Sequence, residues 1–509
     1  MLGYDILFQS VHELSAQIRA NKISPVELTQ SYLARLEQLG PRLGAVATLT
    51  AGLALEQARE AEKEIAAGRS RGPLHGIPFG AKDLLATRGI PTTWGAPPFR
   101  DQVFDFDATV IRKLRSAGAI LVAKLSMIEL AGGGGYSSAS ASLQGPSRCP
   151  FNLDYWAGGS SSGPGASVSS ALVGFAIGSE TLGSIITPSA FSGVSGLRPT
   201  YGRVSRSGAM ALSWTMDKLG PMCRSAIDCG LVLNAIAGRD PADPTSLDSA
   251  FTWWPPQPKK GQPLAGKKIG VIQPDFSRGG DAEVASAYAA ALDVLRGLGA
   301  TLEETIFPDY PYGAIAVTLY TAEAASIFRT FIESGKVMEL LNEPQKIGLI
   351  AALSIPAKDY LDAFRLRAEI QPALGKIFEN FDVIVAPSRN TPASHIDADL
   401  MGAPPPRPAA ASGTPSTPPA EAQRPSQAPV PAPTPAPAGP PQPPADTRNT
   451  IGASNIAGLP ALSVPCGFTK INLPIGIQFV ADALRDDVCI EFAAAYQSAT
   501  DFHRRRPSL

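Results

Sequence analysis

The chain has 509 residues, of which 44% are hydrophobic and 17% charged, and its formal net charge at pH 7 is −1. This composition excludes a chain that is disordered throughout and predicts a globular protein with a sizeable core. The longest basic block is 504-RRR-506, so no charge pattern for nucleic-acid binding is present. No run of 18 apolar residues occurs, which argues against a membrane-spanning helix.

Cysteine usage and short motifs predict neither a metal nor a cofactor. The chain has no C-x-x-C pair, no H-E-x-x-H motif and no G-x-x-x-x-G-K-[ST] phosphate loop. The N-terminal segment lacks an apolar core followed by a small-residue cleavage site. We therefore expect a cytoplasmic enzyme, and export of a longer precursor stays open. Reduced thiols are expected at all five cysteines, which are Cys149, Cys223, Cys229, Cys466 and Cys489.

The first clear element along the chain is a helix over 24-SPVELTQSYLARLEQLG-40. Ser24 is placed to cap it, Pro25 occupies the first helical position, and Glu27 would complete a capping box. A second amphipathic helix is predicted over residues 53–67.

An α/β pattern then recurs, in which a helix and a glycine turn lead to a short apolar strand. It occurs over 109–124, and further apolar segments that predict strands lie at 267-KKIGVIQP-274 and 381-FDVIVAPS-388. A long helix is predicted within 281–304. This alternation predicts the α/β class, with a mixed twisted sheet flanked by helices on both faces.

Residues 404–444 interrupt this pattern with 17 prolines in 41 positions and almost no large apolar side chain. Such a segment has little to bury and is predicted to be a disordered surface insertion. A docking ligand for a proline-binding module is the alternative. Core-like sequence resumes at 451-IGASNIAGLPALSVPCGF-468.

The serine-rich stretch 158-GGSSSGPGASVSSALVGFAIGSETLGSII-186 admits two chemical interpretations. Residues 159–163 match G-x-S-x-G, which would make Ser161 the nucleophile of a hydrolase elbow. An elbow needs a strand before it and a histidine base after it. The segment 150-PFNLDYWA-157 is a poor strand candidate, and the downstream histidines are His395, beside the proline-rich segment, and His503, near the C-terminus.

A serine nucleophile can instead use a neutral lysine as its base, provided that burial lowers the lysine pKa. Lys82 lies in 76-GIPFGAKDLLATRGIPTTWG-95, between an apolar, glycine-flanked approach and two leucines. From the residues alone, Lys82 could also form a solvent-exposed ion pair with Asp83, so both interpretations stay open.

Several motifs occurring in one order carry a family resemblance. They are GIPFGAKD, the GGSSS stretch, 180-ETLGSIITPSAFSGVSGLRPTYGRVSRSG-208, 216-MDKLGPMCRS-225, GLPALSVPCGF and 474-PIGIQFV-480. The chain resembles the amidase signature family of Ser-Ser-Lys amidohydrolases. The resemblance implies a single amidase domain over 1–509, with a signature core at about 70–240 and 450–490. A variable helical substrate region is then expected at about 241–380.

Carried over by motif, the resemblance places the nucleophile at Ser184, the bridging serine at Ser160 and the base at Lys82. It implies a cis peptide bond between Gly159 and Ser160. It also implies an acyl-enzyme and an amide-type C–N bond as the substrate. The backbone N–H groups of the expected oxyanion hole belong to Thr181, Leu182, Gly183 and Ser184.

Two departures from the family pattern bear on the oxyanion hole and on substrate choice. Leu182 replaces a glycine, which would be strained if that position needs a positive φ. Ile186 stands where many members have an arginine that can hold a substrate carboxylate. We therefore expect a neutral small-molecule amide, anilide or carbamate as substrate. The alternatives are a glutamine-hydrolysing subunit of a transamidation complex and a non-catalytic binding protein, and a homo-oligomer stays open.

Overall fold

The structure is a computed structural model that describes residues 2–255, 261–274, 280–400 and 446–509. The predicted disordered insertion at 404–444 lies outside the described residues.

Eleven strands form one mixed sheet in the order β1-β3-β2-β6-β8-β7-β12-β13-β11-β9-β10. Strand β2 runs parallel to both β3 and β6, whereas β8 runs antiparallel to β6. A separate two-stranded ladder joins β4 to β5. The strands are β1 Val46–Leu49, β2 Pro78–Lys82, β3 Ile120–Leu125, β4 Arg148–Cys149, β5 Asn152–Trp156, β6 Phe175–Glu180, β7 Ser195–Arg198, β8 Lys218–Cys223, β9 Lys268–Val271, β10 Thr301–Glu304, β11 Val383–Pro387, β12 Ala461–Phe468 and β13 Pro474–Val480.

Helices cover both faces of the sheet, as predicted. Alternate residues of β3 enter different cores: Ile120 and Val122 pack with α3, α4 and α6, whereas Leu121 joins the larger core that includes α8, α9 and α15. The helices of the described residues are α1 Tyr4–Leu7, α2 Val11–Arg19, α3 Pro25–Leu43, α4 Ala51–Ala66, α5 Thr109–Ser116, α6 Ser162–Ser169, α7 Ile186–Ser192, α8 Ala226–Ile236, α9 Ala282–Gly297, α10 Tyr312–Ile327, α11 Arg329–Glu333, α12 Glu343–Ala352, α13 Ala357–Gly375, α14 Thr450–Ala457 and α15 Asp486–Ser498.

The N-terminal cap of α3 follows the sequence only in part. The Ser24 hydroxyl accepts hydrogen bonds from the backbone N–H groups of Val26, at 3.0 Å, and Glu27, at 3.2 Å. Its own proton goes to the Glu62 carboxylate on α4, and no reciprocal bond from Glu27 closes the expected capping box. The tertiary neighbour Glu62 therefore accepts the Ser24 hydroxyl proton, whereas the bond from the Ser24 backbone N–H to Glu27 that the local motif suggested does not form.

The low strand propensity assigned to 150–157 was wrong. Residues Asn152–Trp156 form β5, which pairs with β4 through Arg148 opposite Trp156. This strand belongs to the small ladder outside the main sheet, and the packing of Trp156 against Tyr136 and Phe191 stabilises it. Aromatic packing thus outweighs the weak alternation of its residues.

The main sheet brings two separate sequence segments to one edge. Strands β2 and β6 are parallel neighbours, and Ala81 lies opposite Ile177 in their register. Lys82 is the last residue of β2, and Ser179 and Glu180 end β6. The carboxyl ends of parallel strands meet at the same edge, which is where α/β proteins usually place their ligand sites.

Candidate active site

Lys82 is fully buried at the end of β2 and faces three hydroxyl groups. Its Nζ lies 2.8 Å from Ser160 Oγ, 3.0 Å from Ser161 Oγ and 2.9 Å from Ser179 Oγ. Ser160 and Ser161 come from the loop before α6, whereas Ser179 belongs to β6. The fold therefore collects around one amine three hydroxyls that lie 78 to 97 residues away in sequence.

The surroundings favour a neutral Lys82 near physiological pH. Burial lowers the pKa of Lys82 from 10.5 to about 7, and the charges of Asp217 and Glu180 oppose this effect only in part. A lysine with a pKa in this range can accept a proton, as a general base must.

The hydroxyl of Ser161 is fully committed to its neighbours. It donates to the Ser179 carbonyl at 3.1 Å and accepts from the Ser179 backbone N–H at 3.2 Å. Gly178 permits this close approach, since a Cβ there would lie 3.0 Å from Ser161 Oγ. Having given its proton to the carbonyl, Ser161 must accept from Lys82. The lone pair of a neutral Lys82 is thereby left for Ser160 or Ser179.

The peptide bond between Gly159 and Ser160 is cis, as the family resemblance implied. The Ser160 carbonyl accepts from the backbone N–H of Ile128 at 3.2 Å. The backbone N–H of Ser161 donates to the Ser184 carbonyl at 3.3 Å. This bond ties the serine-rich loop to the turn that carries Ser184.

Residues 181–184 form a tight turn between β6 and α7. Gly183 adopts a φ of +87°, whereas Leu182 is outside the positive-φ region. The strain anticipated at Leu182 is therefore absent, because Gly183 takes up the unusual conformation. Within the described ranges, no acceptor takes the backbone N–H of any residue of this turn. Ser184 is partly exposed, and its hydroxyl makes no hydrogen bond to a described residue.

A buried carboxylate anchors the far side of this turn. The Glu180 carboxylate accepts from the N–H groups of Ile185, at 2.8 Å, and Ile186, at 3.0 Å. Its other oxygen accepts from Arg198 and from the Asn455 amide, both at 2.8 Å. Burial alone would raise the pKa of Glu180, but neighbouring positive charge and hydrogen bonds outweigh burial and lower the pKa to about 2.

A second carboxylate holds the side chain of Thr181. The Thr181 hydroxyl donates to Asp217 at 2.5 Å, and the Asp217 carboxylate also accepts from the backbone N–H groups of Leu212 and Ser213. Next to it, the Lys218 amine donates to Asn455 at 2.7 Å, and burial lowers the pKa of Lys218 well below its ordinary value. These buried ionisable groups therefore support the turn. Outside the turn, structural ion pairs join Arg203 to Asp486 and Arg206 to Asp243.

The arrangement does not support the elbow interpretation. Ser161 is fully buried and engaged by Ser179 and Lys82, so its oxygen is not available to a substrate. His395 packs edge-to-face against Tyr155, and no hydrogen bond joins His395 or His503 to a serine within the described residues. The base that faces the serines is Lys82 of β2, whereas the elbow motif requires a histidine that follows the serine in the chain.

Two cavities flank the turn. The first, of about 240 Å³, contacts Ser179, Thr181 and Asp217 and is otherwise lined largely by apolar side chains, among them Leu84 and Met210. The second, of about 950 Å³, contacts Leu182 and extends towards the start of α14. Adjacent residues of the turn therefore border different cavities.

The described residues contain no group of three His, Cys, Asp or Glu side chains placed to hold a metal ion. Among the same residues, no helix combines the length and the apolar character needed to cross a membrane.

Comparison with known proteins gives a consistent result. The family model for Amidase matches residues 27–490. This chain belongs to the amidase signature family. It is 34% identical over 527 residues to the glutamyl-tRNA(Gln) amidotransferase A-subunit of Moorella thermoacetica, covering 99% of each chain. The same A-subunit from Nostoc punctiforme is also 34% identical, with 98% of this chain covered and 99% of that protein.

The solved structures agree with the sequence relatives. The native peptide amidase of Stenotrophomonas maltophilia superimposes with a TM-score of 0.77 at 29% identity, covering 98% of both chains. The protein is thus an amidase, a hydrolase of carbon–nitrogen bonds, with the mixed sheet and flanking helices of its family.

Sequence reasoning missed three features of this amidase site. Ser161 was considered only as a nucleophile, and Ser179 was not considered as a partner of Lys82. The only signal for Ser179 was its position two residues before the turn, on a strand that runs beside β2. The anchoring of the turn by Arg198 and Asn455 was also missed, because Asn455 lies 275 residues from Glu180.

Replacing Ser179 with alanine is expected to lower kcat/KM about tenfold and to move the midpoint of the ascending pH limb below that of wild type. The protonated Lys82 donates more hydrogen bonds than the neutral form, so losing an acceptor lowers the Lys82 pKa further. The pH dependence of kcat/KM measures both effects. Ser167→Ala is the matched control, since the buried Ser167 hydroxyl has no hydrogen-bond partner among the described residues. An unshifted midpoint in Ser179→Ala would contradict the assignment of Ser179 as a Lys82 partner.

Proposed function

We propose that this amidase hydrolyses amide-type C–N bonds with Ser184 as nucleophile, Ser160 as proton bridge and Lys82 as base. The observation that carries this proposal is the buried Lys82 amine, 2.8 Å from Ser160 and with a pKa of about 7. A lysine that is neutral at working pH supplies the base that a serine nucleophile requires in the absence of a nearby histidine.

The proton path is short. Neutral Lys82 accepts the Ser160 proton while Ser160 takes the proton of Ser184, whose oxygen attacks the substrate carbonyl. The bridge between the two serines tightens when substrate binds, as catalytic hydrogen bonds commonly do. Collapse of the tetrahedral intermediate breaks the C–N bond, and the proton returns through Ser160 to the leaving nitrogen. Water then cleaves the acyl-enzyme, with Lys82 again acting as base.

The turn at 181–184 supports the charge that develops on the carbonyl oxygen. Its N–H groups are not taken by protein acceptors in the described ranges, and the φ of Gly183 sets their direction. One donor directed at such an oxyanion contributes about 3 kcal/mol to lowering the barrier. Leu182, Gly183 and Ser184 are the main donors in this proposal, with Thr181 beside them.

The substrate amide has an apolar amine side. The leaving nitrogen receives its proton from Ser160, beside Lys82, and the cavity that contacts the Lys82 partner Ser179 is largely apolar. Ile186 is fully buried in an apolar core, so no cation stands at that position to hold a carboxylate. Anilides and amides of apolar amines fit this side best.

A second candidate function is hydrolysis of glutamine within a transamidation complex. The 34% identity to the amidotransferase A-subunit over 99% of the chain favours it. Ile186 disfavours it. Stable co-purification with a second protein chain, together with ammonia release from glutamine, would establish this candidate instead.

A cytoplasmic location is part of the proposal. All five cysteines are unpaired and buried. Disulfides are rare in reducing compartments and common in exported proteins, so unpaired thiols fit the cytoplasm.

Labelling with a fluorophosphonate probe, followed by peptide mapping, tests the nucleophile. We expect the label on Ser184 and none on Ser161, together with hydrolysis of at least one neutral anilide. A Ser184→Ala variant should lose both the label and the hydrolysis. Label on any other serine, or hydrolysis that survives in Ser184→Ala, would overturn the proposal.

A further inference from the structure

The cavity of about 950 Å³ begins at the proposed oxyanion turn. Leu182 of the turn and Ile451 of α14 both line it. Ile451 also packs against Gly183, since a Cβ on Gly183 would lie 3.4 Å from the Ile451 side chain. The cavity is therefore adjacent to the place where a substrate carbonyl would sit.

Two arginines line this cavity, and both have exposed side chains. Arg389 follows β11, and Arg448 precedes α14. Neither guanidinium makes a hydrogen bond or an ion pair within the described parts of the chain. Asp446 also lines the cavity, but its carboxylate accepts from the Asn449 amide at 2.6 Å.

Among the described residues that line this cavity, Asp446 is the only carboxylate. Burial raises the pKa of Tyr136, and the positive charge of Arg389 opposes that effect in part. A phenol with a raised pKa is neutral at physiological pH. Within the described residues, the cavity wall therefore carries two arginines without a hydrogen-bond or ion-pair partner and the single carboxylate of Asp446.

The chemistry of the turn assigns this cavity to the acyl part of a substrate. The leaving nitrogen receives its proton through Ser160 from Lys82, so the amine side points towards the first cavity, which contacts the Lys82 partner Ser179. The acyl chain leaves the carbonyl in another direction. The cavity with Arg389 and Arg448 borders the turn at Leu182, on the flank away from Ser179 and Thr181, and is the space open to the acyl chain there.

We infer that this amidase selects substrates whose acyl part carries a carboxylate at its far end, bound by Arg389 and Arg448. The inference rests on the proposed function and specifies its substrate class: amides of dicarboxylic acids in which one carboxyl is free and the other is joined to an apolar amine. A guanidinium binds a carboxylate through two parallel charge-assisted hydrogen bonds, which gives both affinity and orientation. Arg389 and Arg448 thereby supply, from the cavity that borders Leu182, the carboxylate-binding charge that is missing at Ile186.

The same charges separate this class from glutamine. Glutamine carries an ammonium next to its carboxylate, and that ammonium would approach two arginines. Like charges at close range in a partly desolvated site oppose binding. An acyl part with a carboxylate and no ammonium is therefore the better ligand.

Three matched chromogenic compounds test the inference: glutaryl p-nitroanilide, its methyl ester, and γ-glutamyl p-nitroanilide. The first pair differs only in the carboxylate charge, and the third compound adds only the ammonium. Release of p-nitroaniline gives kcat/KM for wild type, Arg389→Met, Arg448→Met and the control Arg100→Gln, whose exposed side chain lies outside the cavity. Each compound that binds at the site should also slow the labelling of Ser184 by the fluorophosphonate. The extent of this protection measures binding without requiring turnover.

Wild type and Arg100→Gln should prefer the free acid over the methyl ester by about tenfold or more, which is the effect of one charged hydrogen bond. They should also prefer the free acid over the γ-glutamyl compound, whose ammonium is repelled by the two arginines. In each arginine variant, kcat/KM for the free acid should fall towards that for the methyl ester, whereas Arg100→Gln should keep the wild-type ratio. Equal protection by acid and ester in wild type, or full preference in both arginine variants, would overturn the inference. Loss of Ser184 labelling in wild type would instead contradict the proposed function itself.

Discussion

Replacing Lys82 with methionine is expected to reduce kcat/KM by about 10³-fold to 10⁴-fold while the protein stays folded. Methionine has a similar length, but it cannot accept the Ser160 proton that the amine, 2.8 Å away, takes in the proposed mechanism. Hydrolysis of an anilide under single-turnover conditions, with the rate of Ser184 labelling measured in parallel, checks this result.

The pH dependence separates a proton-accepting lysine from a merely structural one. With a Lys82 pKa of about 7, wild-type kcat/KM should rise with pH through about 7 and level off above it, because only the neutral amine accepts a proton. Lys82→Arg keeps its charge throughout this range and should be as inactive as Lys82→Met. A wild-type rate independent of pH between 6 and 8 (about one unit on either side of that pKa) would contradict a base of this kind.

Stability measurements on Lys82→Met provide the control for folding. In wild type the folded pKa of about 7 lies below the ordinary value of 10.5, so the unfolded state binds more protons between these pH values. The contribution of Lys82 to the free energy of unfolding therefore rises as pH increases from 7 to 10.5. Methionine removes this dependence. We expect Lys82→Met to be at least as stable as wild type at pH 7, where the buried amine is most costly.

Replacing Glu180 with glutamine is the second change with a large expected effect, about 3–5 kcal/mol lost from the free energy of unfolding. The neutral glutamine amide leaves the Arg198 guanidinium buried without a counter-charge. The NH₂ group of the glutamine is also a hydrogen-bond donor, and it faces N–H donors that the carboxylate had accepted from. Activity should fall as well, because Glu180 holds the N–H groups of Ile185 and Ile186 directly behind Ser184. Denaturant unfolding and kcat/KM measure the two effects.

A double substitution distinguishes the loss of an ion pair from a packing defect. Glu180→Gln combined with Arg198→Met should be more stable than Glu180→Gln alone, since it removes the uncompensated charge. The exposed Glu303→Gln on β10 serves as the matched control and should change stability by less than about 0.5 kcal/mol. Glu180→Gln with wild-type stability would show that the turn does not depend on this carboxylate.

The sequence predicted the local elements well where the pattern was strong. The helix begun by Ser24 and Pro25 and the buried strand at 120–124 are confirmed. The strand over Asn152–Trp156 was not anticipated, because its stability comes from aromatic contacts with residues elsewhere in the chain. Local propensity has no access to such contacts.

The motifs predicted which residue types form the site, but they did not predict how buried those side chains are or which groups they contact. The spacing of Lys82, Ser160 and Ser184 matched the family pattern. Within the turn at 181–184, Gly183 is the residue that adopts a positive φ, which glycine does without strain. The concern over Leu182 came from a family pattern of two adjacent glycines. The folded turn needs the glycine conformation only at Gly183.

The sequence by itself determined the family, the alternation of helices and strands, and the chemical groups available for acyl transfer. The tertiary structure alone decided that Lys82 is stripped of water, that Ser161 and Ser179 bind it, and that Arg389 and Arg448 border the same cavity. The physical reason is that a pKa depends on the solvent and charges around the group, and a binding surface depends on which distant residues meet. Both are set by packing between segments far apart in the chain, which no local pattern contains.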